Sequence, residues 1–131
     1  MATYKEFEKF VKSQYGAVAP EDAPPGFTAI KVPFDSRSQI VFFAKSETDK
    51  LGDSVHVISL IGAVKGAKLV EALTLAFGLG IGGLVIVNDT LALKHTILLE
   101  NVDENEIAMP LIAIAVAADV FEKKFVGGDK Y

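Results

Sequence analysis

The chain opens with apolar residues at helical spacing. Tyr4, Phe7, Phe10, Val11 and Tyr15 fall on one side of a turn-by-turn repeat, Thr3 precedes them as an N-cap, and Glu6 completes a capping box. The pattern predicts a helix that stops at Gly16. The following "GAVAPEDAPPGF" is rich in proline and glycine and reads as a connection, too short to separate two domains. Three runs of β-branched and aromatic residues come next, over 27–34, 38–47 and 54–63, with polar or glycine-containing turns between them. They predict an antiparallel meander. In the first run Thr28, Ile30, Val32 and Phe34 share a side, and Lys31 marks the other as partly solvated. The second and third are more continuously apolar, as central strands covered on both faces would be.

Helical spacing returns over 67–77, where Leu69, Val70, Leu73, Ala76 and Phe77 share a face opposite Lys68, Glu71 and Thr74. That apolar face is expected to pack on the core, and Leu75, which projects away from it, to meet another chain or a client. "AFGLGIGG" follows, and its Gly78, Gly80 and Gly83 fit the dinucleotide pattern G-x-G-x-x-G. That pattern has physical meaning only where a strand enters it and a helix leaves it, because the helix N-terminus holds the pyrophosphate. Here the order is reversed. Gly78 or Gly80 is therefore expected as a left-handed C-cap, and Gly82-Gly83 as the bend into the next strand.

"LVIVNDTLALKHTILL" predicts a hairpin, with strands over 84–87 and 90–99 and Asn88-Asp89 as its turn. Asn88-Asp89-Thr90 is also a glycosylation sequon, but the turn explains these residues without one. A last helix is predicted over 104–125, capped by Asp103 with Glu106 three residues on, fraying into "VGGDKY". One stripe on it, Ile107, Leu111, Ile114, Ala118, Phe121 and Phe125, is spaced as a core-facing helix should be. A second, Met109, Ile112, Val116 and Val120 with Ala113 beside them, lies nearly opposite. A helix apolar on two sides must be covered on both, here by the N-terminal helix or by a second subunit. The order helix, three-strand antiparallel meander, helix, β-hairpin, helix defines a single α+β domain over residues 1–131.

Composition narrows the partners. With 13 basic and 17 acidic residues the net charge is −4, which disfavours nucleic acid and anionic membrane and favours basic partners. No cysteine is present, which removes disulfides and thiolate chemistry. The N-terminus carries acids and aromatics where an export signal needs a basic end and an apolar run, and the uncharged stretch 107–118 is too short to span a bilayer. A cytoplasmic location is expected. Half of the residues are apolar and mean hydropathy is +0.36, more than a small acidic monomer needs, so some apolar surface is expected to be buried against another chain.

Catalytic candidates are sparse. His56 and His95 alone could act as bases near neutral pH, and both fall in predicted strands. His95 alternates with Leu91, Leu93, Ile97 and Leu99, with no acid nearby in sequence to orient it, so a satisfied structural role is favoured. If the two strands are neighbours, the pair could bind a metal, but no third ligand is apparent. The acids Asp103, Glu104 and Glu106 are explained by capping and the helix dipole, and no serine sits in a G-x-S-x-G elbow. Lys123-Lys124 complements the dipole of the last helix. No catalytic, cofactor-binding or metal residue is assigned.

The element order, with "LALKHTILLENVDENEIAMPLIAIAVAADVFEKKF" at its end, resembles the type III secretion chaperone-like fold, which includes the secretion chaperones and the YbjN family of sensory-transduction regulators. That stretch, Leu91 to Phe125, is the best local match and is similar to the YbjN-type ending, in which a long strand closes with a short phrase, here Leu98, Leu99, Glu100, Asn101, Val102 and Asp103, before a terminal helix. The proline-rich stretch 16–26 and the uniform Ile/Ala/Val face of the last helix depart from that pattern. The resemblance implies binding rather than catalysis: a homodimer that holds a protein client or regulatory partner on apolar surface, with the middle helix taking the larger share of the dimer contact. The residue pattern instead points to an interface of Met109, Ile112, Val116 and Val120, joined by Leu75. An alternative is a small-molecule carrier or enzyme with a pocket near His56 and His95.

Overall fold

The computed structural model describes residues 3–20, 23–46, 52–100 and 102–127. Along them lie α1 (Tyr4–Tyr15), β1 (Ala17–Val18), β2 (Thr28–Phe34), β3 (Arg37–Lys45), β4 (Ser54–Gly62), α2 (Ala67–Leu75), a 3-10 turn (Ala76–Gly78), β5 (Gly83–Val87), β6 (Thr90–Leu98) and α3 (Glu104–Phe125). This is an α+β fold in the order the sequence predicts. Glu47, Asn101 and the tail after Gly127, to which the sequence reading extended, lie outside the described residues.

The elements begin where local chemistry places them. Thr3 and Glu6 form the reciprocal capping box of α1, each backbone N–H donating at 3.2 Å to the other's side chain. Asp103 caps α3 by accepting from the Glu106 N–H at 2.8 Å. Asn88 and Asp89, at φ 48° and 64°, make the two-residue turn of mirror-image type that suits the strand twist of a hairpin. The proline-rich connection contributes one element that its composition concealed: Ala17 and Val18 pair with Ile30 and Ala29.

All strands join one antiparallel sheet in the order β1-β2-β3-β4-β6-β5, so meander and hairpin are continuous and β3 and β4 are central. The three helices share one face. There Phe7 and Val11 of α1 meet Ile30, Val41 and Phe43, with the Phe7 ring edge-on to Phe43 at 5.3 Å. α3 crosses β2, β3, β4 and β6 and buries its whole predicted core stripe from Ile107 to Phe125. The other face carries a smaller cluster of Ala29, Phe42, Ile58, Leu60 and Ala92, against which Ala23 and Phe27 of the connection pack. None of the helices contributes to it.

α2 departs from expectation. Its buried side is Leu69, Ala72 and Ala76, continued by Leu79, while Val70, Leu73 and Phe77 are 64%, 52% and 97% exposed. The face richest in large apolar residues is turned outward, and the small alanines are turned inward where the helix lies close to the core. The glycines after α2 also differ from expectation. Neither Gly78 nor Gly80 takes a left-handed conformation; the helix tightens into the 3-10 turn and Leu79 is extended. Gly82 alone among them has a positive φ, +76°, and a Cβ there would lie 2.9 Å from the Lys94 carbonyl oxygen and 2.8 Å from Ile114 Cδ1. A side chain at this position meets both backbone strain and fixed neighbours. Gly82→Ala is expected to lower stability by about 2 kcal/mol, while Gly80→Ala, into open space, leaves the urea midpoint nearly unchanged. Equal midpoints for the two variants would contradict this assignment.

Candidate functional site

Two buried polar side chains, Asp119 and Gln39, make ties between elements of the interior. Arg37, opening β3, donates through Nε and Nη2 to the two Asp119 carboxylate oxygens at 3.1 and 2.7 Å. Asp119 is nearly inaccessible within α3, and Lys123, one turn on, approaches it at 3.5 Å. The Arg37 hydrogen bonds hold the Asp119 carboxyl below its ordinary range against the opposing pull of burial, helped by the charges of Arg37 and Lys123. Gln39, two residues along β3 and on the same face, is also buried and donates to the Leu60 carbonyl at 3.1 Å. The pair ties the C-terminal half of α3 to the start of β3. Sequence reading missed it, although Asp119 is the first charge after the apolar run from Ile107.

His56 and His95 stand on neighbouring strands, as a shared site would require, but not on one face. In the β4–β6 ladder Val57 pairs with His95 and His56 with Thr96. His95 therefore projects with Val57 toward the helices, and His56 toward the opposite face. A single pocket or metal site using both rings is excluded by this register. His56 Nδ1 lies 3.1 Å from Thr96 Oγ1. Burial pushes both imidazoles below their ordinary pKa, with the Lys94 charge adding to the effect at His56. Among the described residues no three of His, Asp and Glu gather as a metal site would need. Asp103, Glu104 and Glu106 form the N-terminal turn of α3, where the first caps and the others face the positive end of the helix.

The glycine segment likewise lacks the geometry of a phosphate cradle. It leaves α2 and enters β5, so the nearest helix presents carbonyl oxygens to it.

Among the exposed residues, several large apolar side chains fall on α2 and α3. Met109, Ile112, Val116 and Val120 are all exposed along the outward side of α3, at 67%, 36%, 38% and 51%. α1 packs on β2 and the core beside Phe43 and leaves this stripe uncovered. Leu75, also exposed, lines a cleft of about 460 Å³ with Glu71, Thr74, Phe77, Gly78 and, from α3, Lys124. The cleft separates the end of α2 from the end of α3. Leu75 and the α3 stripe thus look out from the same helical layer. Scattered apolar side chains are ordinary on a surface, whereas these four form a continuous row along about three turns of one helix.

The sequence matches no protein-family model and no curated protein.

The pH dependence of folding follows from the two imidazoles and Asp119. Below about pH 6.5 the unfolded chain binds protons that the folded histidines resist, so stability declines with acid until the folded values are passed. A further loss sets in below pH 3.8, as pH falls through the depressed value of Asp119. Urea midpoints are expected to fall between about pH 7.5 and about pH 5.5, and His56→Gln with His95→Gln to remove most of that slope. A slope unchanged in the double variant would assign the titration to other groups.

Proposed function

We propose that this chain is a non-enzymatic protein-binding module, chaperone-like or regulatory, that acts as a homodimer and holds a protein segment on apolar surface. Behind this reading stands one observation: Met109, Ile112, Val116, Val120 and Leu75 are all accessible in the single chain, and no element of the described residues covers the α3 row. An acidic domain gains nothing by hydrating such a row, and a second subunit laid along it removes the row from water. The resemblance of the element order to the secretion chaperones and YbjN-like regulators supports the same class. A cytoplasmic location accords with a chain that has no cysteine to oxidise. No nucleic acid, membrane or cofactor enters this reading.

Val116→Glu tests the interface. Val116 is already 38% exposed in the single chain, so a carboxylate there leaves the domain folded. Desolvating that charge between subunits costs at least about 3 kcal/mol, roughly a hundredfold in the dimer dissociation constant. Light scattering should report a dimer for the parent chain and a monomer for the variant, with unchanged circular dichroism. A variant of undiminished mass would show that the α3 row is not the subunit interface.

A further inference from the structure

The sheet face opposite the helices carries a polar cluster. Along β6, Lys94 and Thr96 alternate with His95, which points toward the helices, so both stand on the opposite face. His56 joins them there as the direct cross-strand partner of Thr96, with its Nδ1 3.1 Å from Thr96 Oγ1. Lys94 is near enough for its charge to act on the imidazole. All three side chains are half-buried. Small neighbours leave space at the flanks of the cluster: Ala44 stands opposite His56 on β3, and Gly83 opposite Lys94 on β5, where an added Cβ would meet nothing within 4 Å. Ile58, the cross-strand partner of Lys94, belongs to the buried apolar cluster of this face.

The electrostatics of the cluster are one-sided. Among the described residues no carboxylate pairs with Lys94 or His56, although the chain carries 17 acidic residues against 13 basic ones. His56 is faced by Ala44 from β3 and by Thr96 and Lys94 from β6, so the charge that acts on the ring is a positive one. Burial, and then that charge, holds the imidazole below its ordinary range. A negative group placed between Lys94 and His56 opposes the repulsion, and the apolar neighbours strengthen its attraction by keeping the local dielectric low.

We propose that His56, Thr96 and Lys94 form a binding site for a phosphate group, as the free ion or as a monoester. The number of donors selects the ligand. Lys94 Nζ and His56 Nε2–H each donate one hydrogen bond to it. Once the ring is protonated, Nδ1–H donates to Thr96 Oγ1 and frees the threonine hydroxyl to donate a third. A phosphate dianion offers three terminal oxygens to these donors and two negative charges to the two cations, whereas a carboxylate offers two oxygens and one charge. Binding is therefore coupled to uptake of a proton by His56. The site lies on the face away from the α3 row and does not depend on the protein-binding reading.

The test is a proton NMR titration that follows the Cε1–H resonances of both imidazoles as inorganic phosphate is added, with sodium chloride holding ionic strength constant. The His56 resonance should move saturably, and the midpoint of its pH titration should rise by at least about 0.5. His95, on the other face, should not respond. O-phosphoserine run in parallel separates the sources: tighter saturation by it assigns the site to a monoester, and tighter saturation by inorganic phosphate assigns it to the free ion. Acetate should bind at least about tenfold more weakly than either. Lys94→Ala should abolish the response with unchanged circular dichroism, and Thr96→Val, which should weaken it, serves if the alanine variant fails to fold. Absence of a saturable His56 response, an equal response of His95, acetate binding as tight as that of phosphate, or full binding by the variants would overturn the proposal.

Discussion

The packing of α3 across the sheet is the constraint on which the other features depend. Its core stripe places Ile107, Leu111, Ile114, Ala118, Phe121 and Phe125 against four strands. Burial of the large members at roughly 1.5–3 kcal/mol each exceeds what any one polar contact supplies. The Arg37–Asp119 pair adds direction more than strength: two parallel hydrogen bonds between a strand end and a helix flank fix the rotation of α3 about its axis. With that rotation fixed, the second stripe has no choice but to face outward. The helix also occupies the middle of its layer. α1 is left beside β2, and α2 over the far end of the sheet.

Much of this was legible in local sequence. The capping box of α1, the Asp103 cap of α3, the two-residue hairpin turn and the two stripes of α3 are short-range patterns, and each fixes an element or a face without reference to distant residues. The face of α2 was not legible, because its two candidate faces differ in the wrong sense. Val70, Leu73 and Phe77 carry more apolar area than Ala72 and Ala76, yet a helix lying close against the core needs small residues at the contact. Gly82 was recognised as a bend, but its close approach to Lys94 and Ile114 depends on tertiary position. Arg37 and Asp119 lie 82 residues apart, a separation at which spacing carries no information. For the same reason the strand pairing of 17–18 was hidden within a segment of unfavourable composition.

The histidines show how strongly register governs function in a sheet. His56 and His95 occupy adjacent strands, and a shift of one residue in the β4–β6 ladder would have placed both rings on one face. The observed register instead buries Val57, Leu93 and Ile97 on the helical face, and His95, in phase with them along β6, goes to that face too. The hydrophobic pattern sets the register, and the register separates the imidazoles. Chemistry that needs two convergent bases is thereby lost to a packing requirement.

The same separation keeps two surfaces apart. The α3 row faces away from the sheet on its helical side, whereas His56, Thr96 and Lys94 stand on the opposite face of the sheet. Two surfaces in such different directions can be occupied at once without steric conflict. α3 turns its core stripe to the sheet and its second stripe away from it, so one helix both closes the core and carries the exposed row.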